Sequence, residues 1–270
     1  MGEWWKAIVL GLVEGLTEFL PISSTGHLLI ASDLLNFQQS SSGTFEIFIQ
    51  FGAVLAVVGY YARDLLAQAG AVRTDPDVRR FWAGVVVAFL PAAVLGLLLR
   101  NWIKTVLFAS PSVIAWSLIL GGVVLILIER IPRRAAPTTT TPTAITLRQA
   151  AIVGVAQATA LVPGVSRSGA SMVGGLLSGM DRPTATAFSF YLAIPTLGAA
   201  TLVDLASSLG QLTSGDLQLL LIGTAVSAVV AGASIHWLIR YVAHHTFVPF
   251  GIYRVGAGLL ILVLLSAGVL

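Results

Sequence analysis

Two hydrophobic segments of this chain are interrupted at matching places, and those interruptions limit what the rest can become. The first is GLVEGLTEFLPISSTGH, from Gly11 to His27; the second is GVAQATALVPGVSRSGA, from Gly154 to Ala170. Gly11 and Gly154, Ser23 and Ser166, and Gly26 and Gly169 are each 143 positions apart, and Phe45 and Phe188 keep that offset. In an apolar chain, paired breaks made of Pro, Gly, Ser and charge point to a site inside a membrane. The first copy carries Glu14 and Glu18, the second Arg167.

Hydrophobic residues make up 56% and charged residues 10%, against about 25% charged in soluble domains. The chain therefore reads as a polytopic membrane protein whose partner is the lipid bilayer. A net charge of +3 is then a matter of loop topology, and nucleic acid is excluded as a partner. With no Cys there is no disulfide framework and no thiolate site. The start, MGEWWK, lacks the basic region and cleavage site of a signal peptide, so the first segment is expected to be retained.

A span needs ~20 mainly apolar residues. Six stretches qualify: 44–62, 81–99, 112–128, 185–206, 217–239 and 249–270. The motif segments, 7–30 and 148–180, could be ordinary kinked spans, but their shared break favours re-entrant hairpins. Irregular backbone at membrane depth persists only where protein or a water-filled cavity covers it. The Pro- and Thr-rich stretch from Arg130 to Thr146 reads as an exposed linker. The expected fold is all-α: six transmembrane helices plus two re-entrant helical hairpins, in one integral membrane domain. Residues 1–135 form one repeat, 136–147 the linker and 148–270 the other. Three spans per half is an odd number, so the second half must enter inverted. Arg63, Arg73, Arg79, Arg80, Arg130, Arg133, Arg134, Arg148 and Arg240 fall on one side; Lys6, Arg100 and Lys104 fall on the other. The rich side is cytoplasmic by the positive-inside rule, which puts both termini on the outer face.

Glu14 and Glu18 are one helical turn apart on one face. Two such carboxylates repel unless a cation or a proton lies between them. A hard divalent ion such as Mg²⁺ would suit them, as would one Glu acting as general base. A structural pair bonded to backbone or to Arg167 is the plainer alternative. Gly11 and Gly15 form a small-residue stripe for close helix packing. Pro21 ends the first short helix, and Ser23, Ser24, Thr25, Gly26 and His27 open the next. Hydroxyls there either cap the helix or join its free amides in holding an anion. Ser24 and His27, three apart, can share a face as nucleophile and proton carrier. The second loop, PGVSRSGAS, combines Gly164 and Gly169 with the hydroxyls of Ser166, Ser168 and Ser171 and the planar fork of Arg167, a phosphate-binding composition. Gln157 stands in the place of Glu14, Leu161 in that of Glu18, and Arg167 in that of Ser24. Asp181 and Arg182 read as loop ends, Arg254 as a snorkelling anchor and Asp204 as structural. The six Trp fit an interfacial belt.

EGLTEFLPISSTGH and PGVSRSGAS resemble the two signature motifs of the bacterial undecaprenyl-diphosphate phosphatases, the UppP or BacA family. The likeness extends through FEIFIQFGAVLAVV, FSFYLAIP, LTSGD and FVPFGIYR, nearly the whole chain. It implies functional roles for Glu14, Glu18, Ser24 and His27, and for Ser166, Arg167 and Ser171. Ser171 stands where the family usually has Thr, keeping the hydroxyl and losing a methyl. The resemblance implies removal of the outer phosphate from the C55 lipid diphosphate in the bacterial inner membrane, which recycles the carrier for cell-wall synthesis. It further implies a divalent cation, Mg²⁺ or Ca²⁺, a role in bacitracin resistance, a six-span fold with two re-entrant hairpins, and homodimers. The nucleophile stays open between Ser24, His27 and water. The rival reading is a polyprenyl-phosphate transporter or flippase, since inverted repeats with broken helices are common there. A channel is disfavoured, because no ring of like charge is present.

Overall fold

The computed structural model describes residues 3–37, 44–107, 110–131, 137–208 and 214–268. These are mostly helical, joined by turns, with one isolated bridge pair between Thr139 and Met180. In chain order the α-helices are α1 (Trp4–Thr17), α2 (Ser24–Leu34), α3 (Thr44–Tyr60), α4 (Ala62–Ala71), α5 (Pro76–Leu98), α6 (Arg100–Trp102), α7 (Pro111–Arg130), α8 (Leu147–Ala158), α9 (Arg167–Leu177), α10 (Arg182–Ser208), α11 (Ser214–His244) and α12 (Val248–Ser266).

Five of them, α5, α7, α10, α11 and α12, are long and apolar enough to cross a membrane. They match five of the six expected stretches and make this a multi-pass membrane protein. The stretch at 44–62 becomes α3, which bends by 68° into α4 and counts as a span only if the pair is taken together. Local chemistry sets several starts. Asp75 accepts from the amide of Asp77 at 2.8 Å ahead of Pro76, the first residue of α5. Thr146 and Gln149 form a reciprocal capping box at α8, and Asp181 accepts from the amide of Thr184 at 2.8 Å at α10.

The two motif segments fold as pairs of short helices: α1 has 14 residues, α2 has 11, α8 has 12 and α9 has 11. At ~1.5 Å per residue none reaches the ~30 Å of a hydrocarbon core. α1 packs on α2, and α8 on α9. The 143-residue offset carries α1, α2, α3, α5 and α7 onto α8, α9, α10, α11 and α12. Packing follows the same relation crosswise. α1 lies on α11 and α8 on α5, while α3 meets α10 and α7 meets α12. Each half's first helix is thus seated on the other half, and the halves interlock.

Small residues allow this in a solvent that gives helices no hydrophobic push toward each other. A Cβ on Gly11 would lie 2.5 Å from the carbonyl oxygen of Gly223, and one on Gly154 would lie 2.6 Å from that of Ala88. The main core gathers Phe19, Phe81, Phe188, Phe190 and Tyr191, all nearly inaccessible, from both halves.

The described part of the stretch before α8 is mostly exposed, and it is also tied down at its ends. Thr138 donates its amide to the Gly179 carbonyl at 2.9 Å, and Asp181 donates to that of Thr139 at 3.1 Å. Gln149 Nε2 donates to Thr139 Oγ1 and to the Ser178 carbonyl, both at 3.1 Å. Thr139 and Ile145 are buried, so this stretch straps the end of α9. Arg133, Arg134, Leu212, Thr213 and the terminal residues 1–2 and 269–270 lie outside the described residues.

Replacing Gly154 by Val should push α8 off α5 and lower stability by about 1–3 kcal/mol, the usual range for an overpacked contact. A reduced midpoint of thermal unfolding in detergent checks this.

Candidate active site

The chain leaves α1 at Thr17, turns through Pro21 and enters α2 by way of Ser23, which has φ 72° and ψ 98°. It leaves α8 at Ala158, passes Gly164 at φ 90°, and enters α9 through Ser166, at φ 71° and ψ 111°. A non-glycine residue at positive φ is strained, and such strain concentrates at functional sites. Here it occurs twice, 143 residues apart, in nearly the same conformation. The echo in the sequence is an echo in the backbone.

Arg254 of α12 holds the two turns together. Nη1 donates to the carbonyls of Pro21 at 3.2 Å and Val165 at 2.9 Å, joining the first turn to the second. Nη2 donates to those of Gly164 at 2.9 Å and Ser117 at 3.1 Å, and Nε to that of Leu118 at 3.3 Å. The residue is 1% exposed. This overturns its reading as a snorkelling anchor: the carbonyls of Pro21, Gly164 and Val165 lie outside helices and need donors where no water reaches. Gly121 makes the room, since a Cβ there would lie 2.1 Å from Nη2.

Between the turns lies a cavity of about 190 Å³, lined by Glu18, Ser23, Ser24, Thr25, Gln157, Leu161, Ser166, Arg167 and Thr196 among others. Its centre is one connected set of bonds. Ser24 Oγ donates to Glu18 Oε2 at 2.5 Å, and Arg167 Nη2 donates to Glu18 Oε1 at 3.0 Å. Arg167 Nη1 donates to the Ser189 carbonyl at 2.8 Å, and the guanidinium lies 5.6 Å from the centre of the Phe19 ring. Arg167 Nε has no hydrogen-bond partner among the described residues. The N-termini of α2 and α9 both open here, and free amides with an aligned dipole favour an anion.

Of the other residues singled out in the sequence, Ser166 lines the cavity and the rest sit behind or beside it. Ser166 Oγ caps α9 by accepting from the Gly169 amide at 3.1 Å. Ser168 Oγ donates to the Leu20 carbonyl at 3.0 Å, tying one turn to the other. Ser171 Oγ lies 2.7 Å from Ser189 Oγ and bonds the carbonyls of Arg167 and Ser168. Ser168, Gly169 and Ser171 therefore shape the loop and brace Arg167; they do not line the cavity. His27 also lies off it, with Nδ1 2.7 Å from the Ser23 carbonyl and Nε2 2.6 Å from Tyr253 Oη.

Glu14 is fully buried on α1, one turn before Glu18, and no described residue hydrogen-bonds either of its oxygens. No cluster of three or more His, Asp or Glu side chains able to hold a metal exists among the described residues. Glu18 lines the cavity and Glu14 lies behind it, outside the lining; one or two carboxylates completed by substrate phosphates is a common way to hold Mg²⁺.

A second cavity of about 830 Å³ adjoins the first, with Thr25, Gln50, Ala92, Leu161, Thr196 and Ala200 in both walls. Leu28, Leu29, Phe89, Leu97, Ile114 and Val203 make it mostly apolar. Asp204 in its wall pairs with Arg100 at 3.5 Å, in line with a structural role. Arg182 pairs with Glu129 rather than ending a loop freely. Sequence reasoning missed Ser189, a single hydroxyl in the apolar FSFYLAIP stretch, and Arg254, a lone cation in an otherwise ordinary span.

The family model described as "Bacitracin resistance protein BacA" matches residues 7–260. A protein of Deinococcus radiodurans named undecaprenyl-diphosphatase is 47% identical over 271 residues, covering 99% of this chain and 97% of its own. One from Deinococcus deserti with the same name is 47% identical, covering 99% and 98%. Burkholderia lata has an undecaprenyl-diphosphatase 1 that is 44% identical, covering 97% and 96%.

Lys in place of Arg254 offers three donors to five acceptors. At about 1.5–3 kcal/mol for each lost bond to a charged donor, the variant should unfold at clearly lower temperature and lose turnover with it, read by thermal inactivation in detergent.

Proposed function

This chain belongs to the BacA family, and we propose that it is a membrane-embedded phosphatase that hydrolyses undecaprenyl diphosphate to undecaprenyl phosphate and inorganic phosphate. The reaction recycles the lipid carrier for cell-wall synthesis and confers bacitracin resistance. The observation that carries the reading is the Ser24–Glu18–Arg167 chain of bonds in a polar cavity joined to a larger apolar one. A hydroxyl bonded to a carboxylate is a nucleophile paired with its base, and a guanidinium beside two helix N-termini is an anion clamp. The large apolar cavity suits the polyprenyl chain.

The incoming diphosphate takes the guanidinium of Arg167 and the amides of α2 and α9. Phosphoryl transfer is mostly positioning and electrostatic stabilisation. Ser24 Oγ attacks the terminal phosphorus and passes its proton to Glu18; the bond to the bridging oxygen breaks and the lipid monophosphate leaves, taking that proton. Water then attacks the phosphoserine. Glu18 accepts one water proton and returns it to Ser24 Oγ as the phosphorus–Oγ bond breaks, and hydrogen phosphate departs. A divalent cation, Mg²⁺ or Ca²⁺, would be held by Glu14 and Glu18 with the phosphates, and would supply charge neutralisation. His27 orients the start of α2 through Ser23.

For the fold we propose six spans, with α3 and α4 as one, and two re-entrant hairpins, α1–α2 and α8–α9, in an inverted repeat within the inner membrane. Helices too short to cross, broken at equivalent points, support this. Both termini then face outward. The absence of native Cys makes single introduced cysteines clean reporters of that topology.

Purified protein in detergent should release phosphate from C55 diphosphate, and a chelator should suppress the release. Glu18→Gln should lower turnover by about 10²–10⁴-fold and Arg167→Ala by about 10²–10³-fold. Near-normal turnover in either variant would remove the site. Acid quench of the wild type with terminally labelled substrate should leave label on Ser24.

A further inference from the structure

We propose that Gln157 is the residue that orients the water attacking phosphorylated Ser24, an assignment that rests on the serine route above. Gln157 lines the small cavity together with Glu18, Ser24 and Arg167. It is 1% exposed. The orientation of its amide follows from its neighbour. Thr196 Oγ1 donates its one proton to the Leu192 carbonyl at 2.7 Å and therefore accepts from Gln157 Nε2 at 3.3 Å. That leaves Oε1, which receives no hydrogen bond among the described residues. A buried acceptor left unbonded is costly, on the order of 1–3 kcal/mol, and the requirement for a donor is a requirement for a ligand.

The cavity wall holds other donors, Thr25, Gln50 and Arg167 Nε, but none of them bonds Oε1, and a donor that enters the cavity is needed. An ionised phosphate has no proton to give and is repelled by a carbonyl oxygen. The hydroxyl of Ser24 is committed to Glu18. Water entering the cavity has two protons: one for Glu18 as base, the second for Gln157 Oε1. Two acceptors at fixed positions set the direction of the water's lone pair, which is what in-line attack needs.

The duplication explains why an amide stands here. Gln157 lies 143 residues after Glu14, at the same place in its own hairpin. A carboxylate in this wall would accept the same proton but oppose the phosphate charge held by Arg167. An amide keeps the shape and the acceptor and drops the charge.

The test is rapid acid quench of the full chain in detergent with terminally labelled C55 diphosphate, comparing wild type, Gln157→Leu and Thr196→Val. In Gln157→Leu, label should reach Ser24 at the wild-type rate and leave it about 10²-fold more slowly. Both kcat and KM should then fall together, and added methanol should take a larger share of the phosphoryl group than in wild type. Thr196→Val frees the amide without deleting it and should give the same pattern more weakly; it carries the test if Gln157→Leu does not fold. Equal decay of the phosphoserine in all three enzymes, or formation slowed as much as decay, would overturn the assignment while leaving the serine route standing. Label on no residue of any active enzyme would instead remove the serine route itself, and the assignment with it.

Discussion

Two breaks in helical structure, side by side in an apolar chain, leave carbonyl groups that need donors, and Arg254 answers most of that need. Its guanidinium bonds the carbonyls of Pro21, Val165, Gly164, Ser117 and Leu118. Without water to take them, those of Pro21, Gly164 and Val165, which lie outside helices, would stand unsatisfied at a cost of several kcal/mol each. One side chain thus makes both turns tenable and fixes their separation. Ser168 adds a second tie, from one turn to the Leu20 carbonyl of the other. The placement of Glu18 against Arg167 depends on these ties more than on the ion pair itself, because a buried pair can lose more in desolvation than its charges regain.

The duplication supplies the geometry, and divergence within it supplies the chemistry. Ser23 and Ser166 keep the same unusual backbone and both reach the cavity. The residues after them have parted: Ser24 bonds to Glu18, and Arg167, its counterpart, bonds to the same carboxylate from the other side. An equivalent pair has become a hydroxyl and a cation facing each other across one carboxylate. Two identical hairpins would have placed four acids or two guanidinium groups in one small cavity, and neither set could have been neutralised there.

Much of this was legible in the sequence, for a physical reason. Breaks by Pro, Gly and Ser stand out against a lipid-facing background, and the repeat offset needs no knowledge of contacts. Glu18, Ser24, Ser166 and Arg167 were readable because charge and hydroxyls at a helix break have few inert explanations. Ser168 and Ser171 were readable as important but not in their direction, since a hydroxyl inside a helix can face a cavity or brace a neighbour equally well. Arg254 was misread because its partners are backbone carbonyls, which carry no residue-type signal. The ties of the stretch before α8 were hidden for the same reason: its polar composition suggests the exposure that most of it has, while its bonds run to the backbone at the end of α9. Interlocked packing of the halves was out of reach as well, because glycines that seat one helix on another do not name their partner.

The resting ion pair bears on the order of events in the proposed reaction. With the cavity as it stands, Arg167 and Ser24 both bond to Glu18, so the anion clamp, the base and the nucleophile are engaged with one another. A diphosphate with its negative charge competes for the guanidinium and can succeed because it offers more charge and more acceptor oxygens than one carboxylate. Glu18 then exchanges a guanidinium for the proton of Ser24, and the guanidinium is met by phosphate oxygens in place of the carboxylate. In the proposed reaction the Glu18–Arg167 pair is the one the substrate must break, which would tie assembly of the catalytic groups to arrival of the headgroup rather than to any movement of the spans.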